Sequence, residues 1–284
     1  MTLDRTQKAF LLGSVLGILL VLVVVVYQTA LFHISPIKVG FSRFDFGKYV
    51  VFSKSHIADG EYASISDLMS QDESLHGLRY NSQVQIIFVE KQSDMNRYQP
   101  FASAADRRNA GSFAPWPNTI YVTPKVVEKY GSFQGALGHE LSHVLVIQII
   151  NAYLLWKLAE WIPEGYATYL SKWPSYFSKD HLAENLRQAG IDISNGRLLG
   201  SRKVSGVPLP LRYMIYRYFV EHLFEKNTAA TAIRFLKESC ANPREVESTF
   251  QKVFGVSFAE DVQTFSMELD RKGKTHNKSL QLSP

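Results

Sequence analysis

The sequence has little cysteine and little excess charge. Cys240 is the single cysteine among 284 residues, which excludes an internal disulfide and any metal site built from cysteine pairs. The net charge is +5, and the basic residues do not gather into a stripe, so we expect no nucleic-acid partner. Hydrophobic residues make up 46% of the chain, which is enough for one sizeable domain.

The longest run without charge extends from Ala9 to Phe32. As a helix it would measure about 36 Å, enough to cross a bilayer. A cleaved signal peptide is the alternative, but its apolar region is typically only about 7–15 residues long. Arg5 and Lys8 precede the run, which predicts a cytoplasmic segment at residues 1–8. We therefore predict a single-pass signal anchor at residues 9–32, fitting a bacterial inner membrane with the domain facing the periplasm or another extracytoplasmic side.

The motif H-E-x-x-H occurs at residues 139–143. Residues four apart share one face of a helix, so His139 and His143 can direct two imidazoles at one cation, for which zinc is well suited. Glu140 lies one position round the helix, where it can accept a proton from a zinc-activated water. An ordinary helix with two surface histidines is the alternative. A stripe of apolar residues predicts that this helix is partly buried: Leu137, Leu141, Val144 and Leu145.

A third metal ligand is predicted in the next helix. Glu164 follows Pro163, and this order suits the first turn of a helix. It lies 21 residues after His143 (164 − 143), which leaves the chain room to turn back. Two histidines and one glutamate with an open fourth position are typical of a catalytic zinc. Zn²⁺ is therefore the predicted cofactor, and Glu160 is the alternative third ligand.

Two segments carry a resemblance to a known family. HELSH at 139–143 and WIPEGYATYL at 161–170 resemble the gluzincin metallopeptidases, the clan of thermolysin and the aminopeptidases, whose helices carry HExxH and W-x-x-E-G-x-A. Residues 211–223 and 250–257 are similar to two segments of the small peptidase MA-like domains. The resemblance covers about residues 45–270.

The resemblance implies roles for individual residues. It implies that His139, His143 and Glu164 hold zinc and that Glu140 is the general base. Through the Y-x₅-F-V pattern it also implies that Tyr213 donates a hydrogen bond to the oxyanion. Tyr216 is the second candidate for that role. The alternative role for Tyr213 is packing in the helix core. Position 168 departs from the pattern, because it holds Thr where thermolysin has Asp.

Two further segments lie beside the motif. In the resembling family an exposed strand next to the zinc pairs with the substrate backbone, and Asn109–Val122 matches that position; a plain surface loop is the alternative. Val144–Trp161 is long enough for a second membrane span. Its four polar residues favour a buried or interfacial helix instead.

The resemblance and the residue pattern together predict an α+β fold. We expect a thermolysin-like zincin domain with a small N-terminal mixed sheet and a helical C-terminal part, behind the transmembrane helix. The predicted segments are a linker at 33–47, the metallopeptidase domain at 48–271 and a flexible tail at 272–284. The predicted strands and helices are Lys48–Ser53, Val84–Glu90 and Ile120–Val122, and Glu61–Met69, Asp94–Pro100, Lys179–Ala189, Leu211–Glu225 and Thr228–Ser239.

These features predict a membrane-anchored zinc metallopeptidase. Its expected partners are a peptide or protein substrate and the membrane. Gly13 and Gly17, four residues apart, would also allow two anchors to pack as a homodimer. The alternative is a catalytically silent pseudo-protease or adaptor that binds a partner at the membrane. An adaptor can lose a catalytic group without penalty, so the intact set of four residues favours the enzyme.

Overall fold

The computed structural model describes residues 5–27, 32, 35, 37–54, 59–91, 112–116, 118–123, 133–149, 157–172, 178–200 and 206–281. Over these residues the chain is α+β, mostly helical, with one small mixed sheet. Its helices are α1 (Arg5–Val26), α2 (Asp59–His76), α3 (Phe133–Ile149), α4 (Trp161–Leu170), α5 (Lys179–Gln188), α6 (Arg197–Gly200), α7 (Leu209–Lys226), α8 (Ala229–Ala241), α9 (Val246–Phe254) and α10 (Phe258–Gln281). Its strands are β1 (Ser42–Asp45), β2 (Tyr49–Ser53), β3 (Val84–Phe88), β4 (Ser112–Trp116) and β5 (Thr119–Val122).

The N-terminal helix corrects the predicted anchor. Helix α1 ends at Val26, and its described side chains, from Phe10 onward, are exposed. Within the described ranges, no helix has both the length and the apolar character that a membrane crossing requires. This finding overturns the transmembrane helix at residues 9–32 and the single-pass membrane localisation. The prediction assumed a helix over the whole uncharged run, about 36 Å long, whereas the described helix covers that run only from Ala9 to Val26, about 27 Å.

Part of the predicted linker at 33–47 packs on the sheet. It contains strand β1, which pairs antiparallel with β2. Lys38 is buried, and its Nζ donates to the carbonyl oxygen of Phe32. The same Nζ lies 5.0 Å and 5.3 Å from the ring centroids of Phe32 and Phe52. Aromatic rings and carbonyl oxygens thus replace water around this amine, and its burial lowers the pKa of Lys38 to about 8.

The sheet has the order β1-β2-β3-β5-β4. The three inner strands are parallel, with Val51 opposite Ile86 and Ile86 opposite Ile120, whereas β1 and β4 are antiparallel edges. The apolar segment Val84–Glu90 predicted a central strand, and β3 is central. Successive residues of β2 alternate between the two faces: Val51 joins the core beneath α2 and α3, and Phe52 joins the cluster on the opposite face.

Helix α3 packs against the sheet through its apolar stripe. Leu137, Leu141 and Val144 are fully buried in one cluster with the sheet residues and with Ile65 and Met69 of α2. The predicted burial of the motif helix is confirmed. Because this face is pinned to the sheet, His139 and His143 are presented to Glu164 of α4, in the helical half of the domain.

The helical half is built around Trp161. Its ring lies 5.0 Å from the ring of Phe219, 5.8 Å from that of Phe235 and 5.9 Å from that of Phe258. The helices predicted at Leu211–Glu225 and Thr228–Ser239 correspond to α7 and α8. Helix α10 extends to Gln281, so most of the segment 272–284, predicted as a flexible tail, is helical. The helix predicted at Asp94–Pro100 lies outside the described residues.

His222 connects α7 to α10. It is buried, and its Nε2 lies 3.2 Å from Oδ1 of Asp261 while its Nδ1 lies 2.9 Å from Oε2 of Glu268. Burial alone would lower the pKa of His222, but the two carboxylates outweigh it and raise this pKa above the ordinary value. Lys226 also binds Glu268, at 2.8 Å. His222 and its two carboxylate partners are therefore part of the packing between these helices.

We expect the stabilising effect of His222 to decline as the pH rises. The raised pKa means that the folded state holds the proton more tightly than the unfolded chain does. The stabilisation is complete below the unfolded pKa of about 6.5 and is lost as the pH passes the higher folded pKa. Denaturant unfolding of the wild type and of His222→Gln should show a stability difference that shrinks above pH 6.5. A difference that is constant with pH would contradict this prediction.

Candidate metal centre

The two histidines of the H-E-x-x-H motif meet at their Nε2 atoms. They lie one turn apart on α3, and their Nε2 atoms are 3.0 Å from each other. The rings are perpendicular, with centroids 4.6 Å apart. His139 is nearly buried, and the side chain of His143 is 14% exposed. The helical spacing therefore places two nitrogen atoms at one point on the surface of α3, as the sequence predicted.

Glu164 completes a group of three. It lies in the first turn of α4, and its Oε2 is 3.3 Å from Nε2 of His139 and 3.4 Å from Nε2 of His143. These three residues, from two helices, form a group that could hold a metal ion. The predicted third ligand is thus the residue that the fold brings to the histidines.

The electrostatics of the group show a close ion pair. Burial alone would lower the pKa of His143, but Glu164, followed by Glu140 and Asp72, raises it to about 9. Burial alone would raise the pKa of Glu164, but His143 and His139 hold it well below its usual range. In the absence of a metal ion, a proton on His143 therefore balances the carboxylate. A metal ion that binds here has to displace that proton.

Gly165 allows α4 to approach α7 closely enough to deliver Glu164. A Cβ atom at this position would lie 2.8 Å from the carbonyl oxygen of Tyr216 and 2.8 Å from Cγ2 of Val220. Backbone oxygens cannot move aside as a flexible side chain does. The Glu-Gly pair in W-x-x-E-G therefore has two connected roles, one in metal binding and one in helix packing.

Replacing Gly165 with Ala should destabilise the protein by about 1–3 kcal/mol, because overpacking outweighs the gain in helix propensity. The displacement of α4 should also weaken metal binding. Urea denaturation and a metal titration measure the two effects. Gly138→Ala is the matched control, since a Cβ atom there would lie at ordinary distances of 3.5 Å and 3.6 Å from Ser171 and Leu68. Equal stability of the two variants would contradict the packing role of Gly165.

Tyr213 lies against the metal-binding group. Its ring stacks on that of His139 at 6.0 Å between centroids, with an interplanar angle of 27°. Burial raises the pKa of Tyr213 well above its usual value, and Glu164 and Glu140 raise it further. The hydroxyl is therefore a hydrogen-bond donor at neutral pH. Glu140, the predicted base, is 7% exposed, and its charge contributes to the raised pKa of Tyr213.

The two alternative residues have other contacts. Tyr216 donates from its hydroxyl to Oε2 of Glu160 at 3.0 Å, and Nη1 of Arg212 donates to the same oxygen at 3.1 Å. Glu160, the alternative third ligand, is thus held by an arginine and a tyrosine and is not in the group of three. The structure brings Glu164 and Tyr213 to the histidines, in preference to Glu160 and Tyr216.

The side chain at position 168 does not support a histidine. Thr168 donates from Oγ1 to the carbonyl oxygens of Glu164, at 2.6 Å, and Gly165, at 3.0 Å. A different carboxylate, Asp72 of α2, lies behind the motif and accepts a hydrogen bond from Ser142 at 2.7 Å. Sequence reasoning missed Asp72 because it lies 70 residues before Ser142 (142 − 72), and no local pattern connects the two.

Among the residues whose side chains the structure describes, the other histidines take no part in this group. His181 lies in the first turn of α5, with its Nδ1 3.1 Å from Oγ of Ser178, the N-cap residue, and His222 lies between α7 and α10. Neither models of known protein families nor curated protein sequences give a match to the chain. The geometry of the group, together with the motif, therefore carries the functional argument.

Proposed function

We propose that this protein is a zinc metallopeptidase of the gluzincin type. The observation that supports it most directly is the triangle of ligand atoms, with sides of 3.0, 3.3 and 3.4 Å. A tetrahedral zinc with bonds of about 2.0–2.1 Å has edges of about 3.3 Å. Two imidazole nitrogens and a carboxylate oxygen are also zinc's preferred donors, and three protein ligands leave one coordination position for chemistry.

Each residue of the proposed site has a separate task. His139, His143 and Glu164 would hold zinc, which when bound supplies an acidified water and a polarised carbonyl group. Glu140 accepts the proton of the attacking water and passes it to the leaving amine. Tyr213 would donate a hydrogen bond to the oxyanion. Its stacking on the ring of His139 keeps it beside the metal ligands and supports this role. Burial of Glu140 and Tyr213 strengthens both interactions, because little water competes with them.

The sheet edge supports a peptide as the substrate. Strand β4 is the last strand in the order and pairs with β5 alone among the described strands. It lies beside α3, and its pairing shifts register between Phe113 and Trp116. An edge strand next to the catalytic helix can bind an extended peptide by backbone hydrogen bonds. Strand β4 falls within Asn109–Val122, the segment predicted for that role.

Zinc content and peptide hydrolysis by the purified full-length chain test the proposal. We expect about one zinc per chain, as a group of three ligands with one open position implies, and cleavage of unfolded protein that a chelator stops and added zinc restores. Mass spectrometry of the products identifies the cleaved bonds. Zinc-loaded wild type that cleaves no bond in a diverse peptide mixture would overturn the peptidase and favour the adaptor.

Removing the Tyr213 hydroxyl should slow catalysis with little effect on substrate binding. Loss of one oxyanion donor typically lowers kcat by about 10²–10³, so Tyr213→Phe should lower kcat by that factor at nearly constant KM. Steady-state kinetics on one peptide measure this. Tyr216→Phe is the matched control, because the Tyr216 hydroxyl donates to Glu160. A larger loss of kcat in Tyr216→Phe would assign the oxyanion role to Tyr216 instead.

A further inference from the structure

A buried carboxylate on α2 and a tyrosine shortly after that helix contact the two variable positions of the H-E-x-x-H motif. Asp72 is 4% exposed. Its Oδ1 accepts a hydrogen bond from Oγ of Ser142 at 2.7 Å, and its Oδ2 lies 2.9 Å from the hydroxyl of Tyr80. The same hydroxyl lies 3.0 Å from the carbonyl oxygen of Leu141. The single hydroxyl proton of Tyr80 is shared between these two acceptors. Asp72 therefore holds the side chain of Ser142, and Tyr80 links Asp72 to the backbone of the preceding residue.

His76 lies one turn along α2, with its Nδ1 3.7 Å from Oδ1 of Asp72, but it does not neutralise this carboxylate. Nδ1 of His76 lies 3.0 Å from the backbone oxygen of Asp72, and burial lowers the pKa of His76 to about 4. His76 is therefore neutral and donates to the backbone. Burial raises the pKa of Asp72 to about 7, against the opposing effects of the hydrogen bonds from Ser142 and Tyr80 and of the charge on His143.

The position of these contacts matters because metal ligation depends on the rotation of α3. Leu141 and Ser142 are about 100° apart around the helix axis, so contacts to both resist rotation in either direction. A rotation of about 10° would move an atom about 6 Å from the axis by about 1 Å. Metal–ligand distances tolerate only about 0.2 Å. A small rotation of α3 would therefore separate His139 and His143 from Glu164.

We propose that Asp72 is a positioning residue for the metal centre: together with Tyr80 it sets the rotation of α3 through Ser142 and the Leu141 carbonyl oxygen. This role rests on the proposed metal site but not on peptidase activity. It is also compatible with position 168, where the Thr168 hydroxyl donates to carbonyl oxygens of its own helix. The carboxylate that positions α3 in this chain lies on α2 instead.

Zinc affinity and the spectrum of the cobalt-substituted protein test the role. Asp72→Ala should weaken zinc binding by about 10–100-fold, as loss of residues that orient metal ligands typically does, and should shift the visible bands of cobalt. Asp72→Asn should stay within a few-fold of wild type, because its amide can accept from Ser142 and donate to Tyr80. Tyr80→Phe, which removes one hydroxyl, should weaken binding and is the substitute if Asp72→Ala does not fold. Competition with a chromophoric chelator gives the dissociation constants.

The control is His222→Gln, which should lower stability without touching α3. Wild-type zinc affinity and cobalt bands in folded Asp72→Ala and Tyr80→Phe would overturn the positioning role and leave Asp72 a packing residue. Equally weak binding by Asp72→Asn and Asp72→Ala would overturn it too, because charge and not hydrogen bonding would then be the cause. Absence of zinc from the wild type is a different result, which would overturn the proposed function and this role together.

Discussion

Replacing Glu140 with Gln should lower the rate of peptide hydrolysis by about 10²–10⁴-fold, the usual contribution of a general base. The amide has nearly the shape of the carboxylate but cannot accept the proton of the attacking water. Glu140 is not in the group of three ligands, so the variant should retain zinc and bind substrate normally. The kcat and KM of the wild type and the variant, together with their zinc contents, measure the effect.

Glu160→Gln is the matched control for this variant. Glu160 is also a partly buried glutamate near the metal centre, but its carboxylate accepts from Arg212 and Tyr216. It should keep most of the activity. Wild-type activity in Glu140→Gln, or a greater loss in Glu160→Gln, would show that Glu140 is not the base.

Replacing Glu164 with Ala should remove the metal. The variant keeps both histidines but loses the only carboxylate of the group, so we expect zinc affinity to fall by more than the roughly 100-fold upper value seen for residues that merely orient ligands. Thermal or denaturant unfolding gives a second measure. At free zinc about 100 times the wild-type dissociation constant, zinc should stabilise the wild type by about 2.7 kcal/mol and the variant hardly at all.

Glu160→Ala provides the comparison, because Glu160 lies one turn before Glu164 on the same side of α4 and was the alternative third ligand. It should bind zinc like the wild type. If Glu164→Ala retained zinc and Glu160→Ala lost it, the third ligand would be Glu160 and the arrangement of α4 described above would not hold in the metal-bound protein.

Much of the candidate site could be predicted from local sequence. The four-residue spacing of His139 and His143 depends only on helix geometry, and the apolar stripe that buries α3 is visible in the same segment. Pro163 and Glu164 marked the start of α4 in the same way. Each of these features lies within a few residues of the chain, so a single sequence is sufficient to show it.

Other features depended on contacts that no local pattern shows. The selection of Tyr213 over Tyr216 depends on how α7 faces α4 and α3, since both tyrosines lie on one aromatic helix. Asp72 and Tyr80 reach the motif from α2 and from the segment after it.

The sequence by itself determined which donor atoms this protein has, which two of them share a helical face, and that Glu140 lies between those two histidines. The tertiary structure decided which distant groups join them, namely Glu164, Tyr213 and Asp72. The physical reason is that helix periodicity is encoded within a few residues, whereas the approach of α4 to α3 depends on packing across the whole domain. The closeness permitted by Gly165 against the Tyr216 backbone is one such contact.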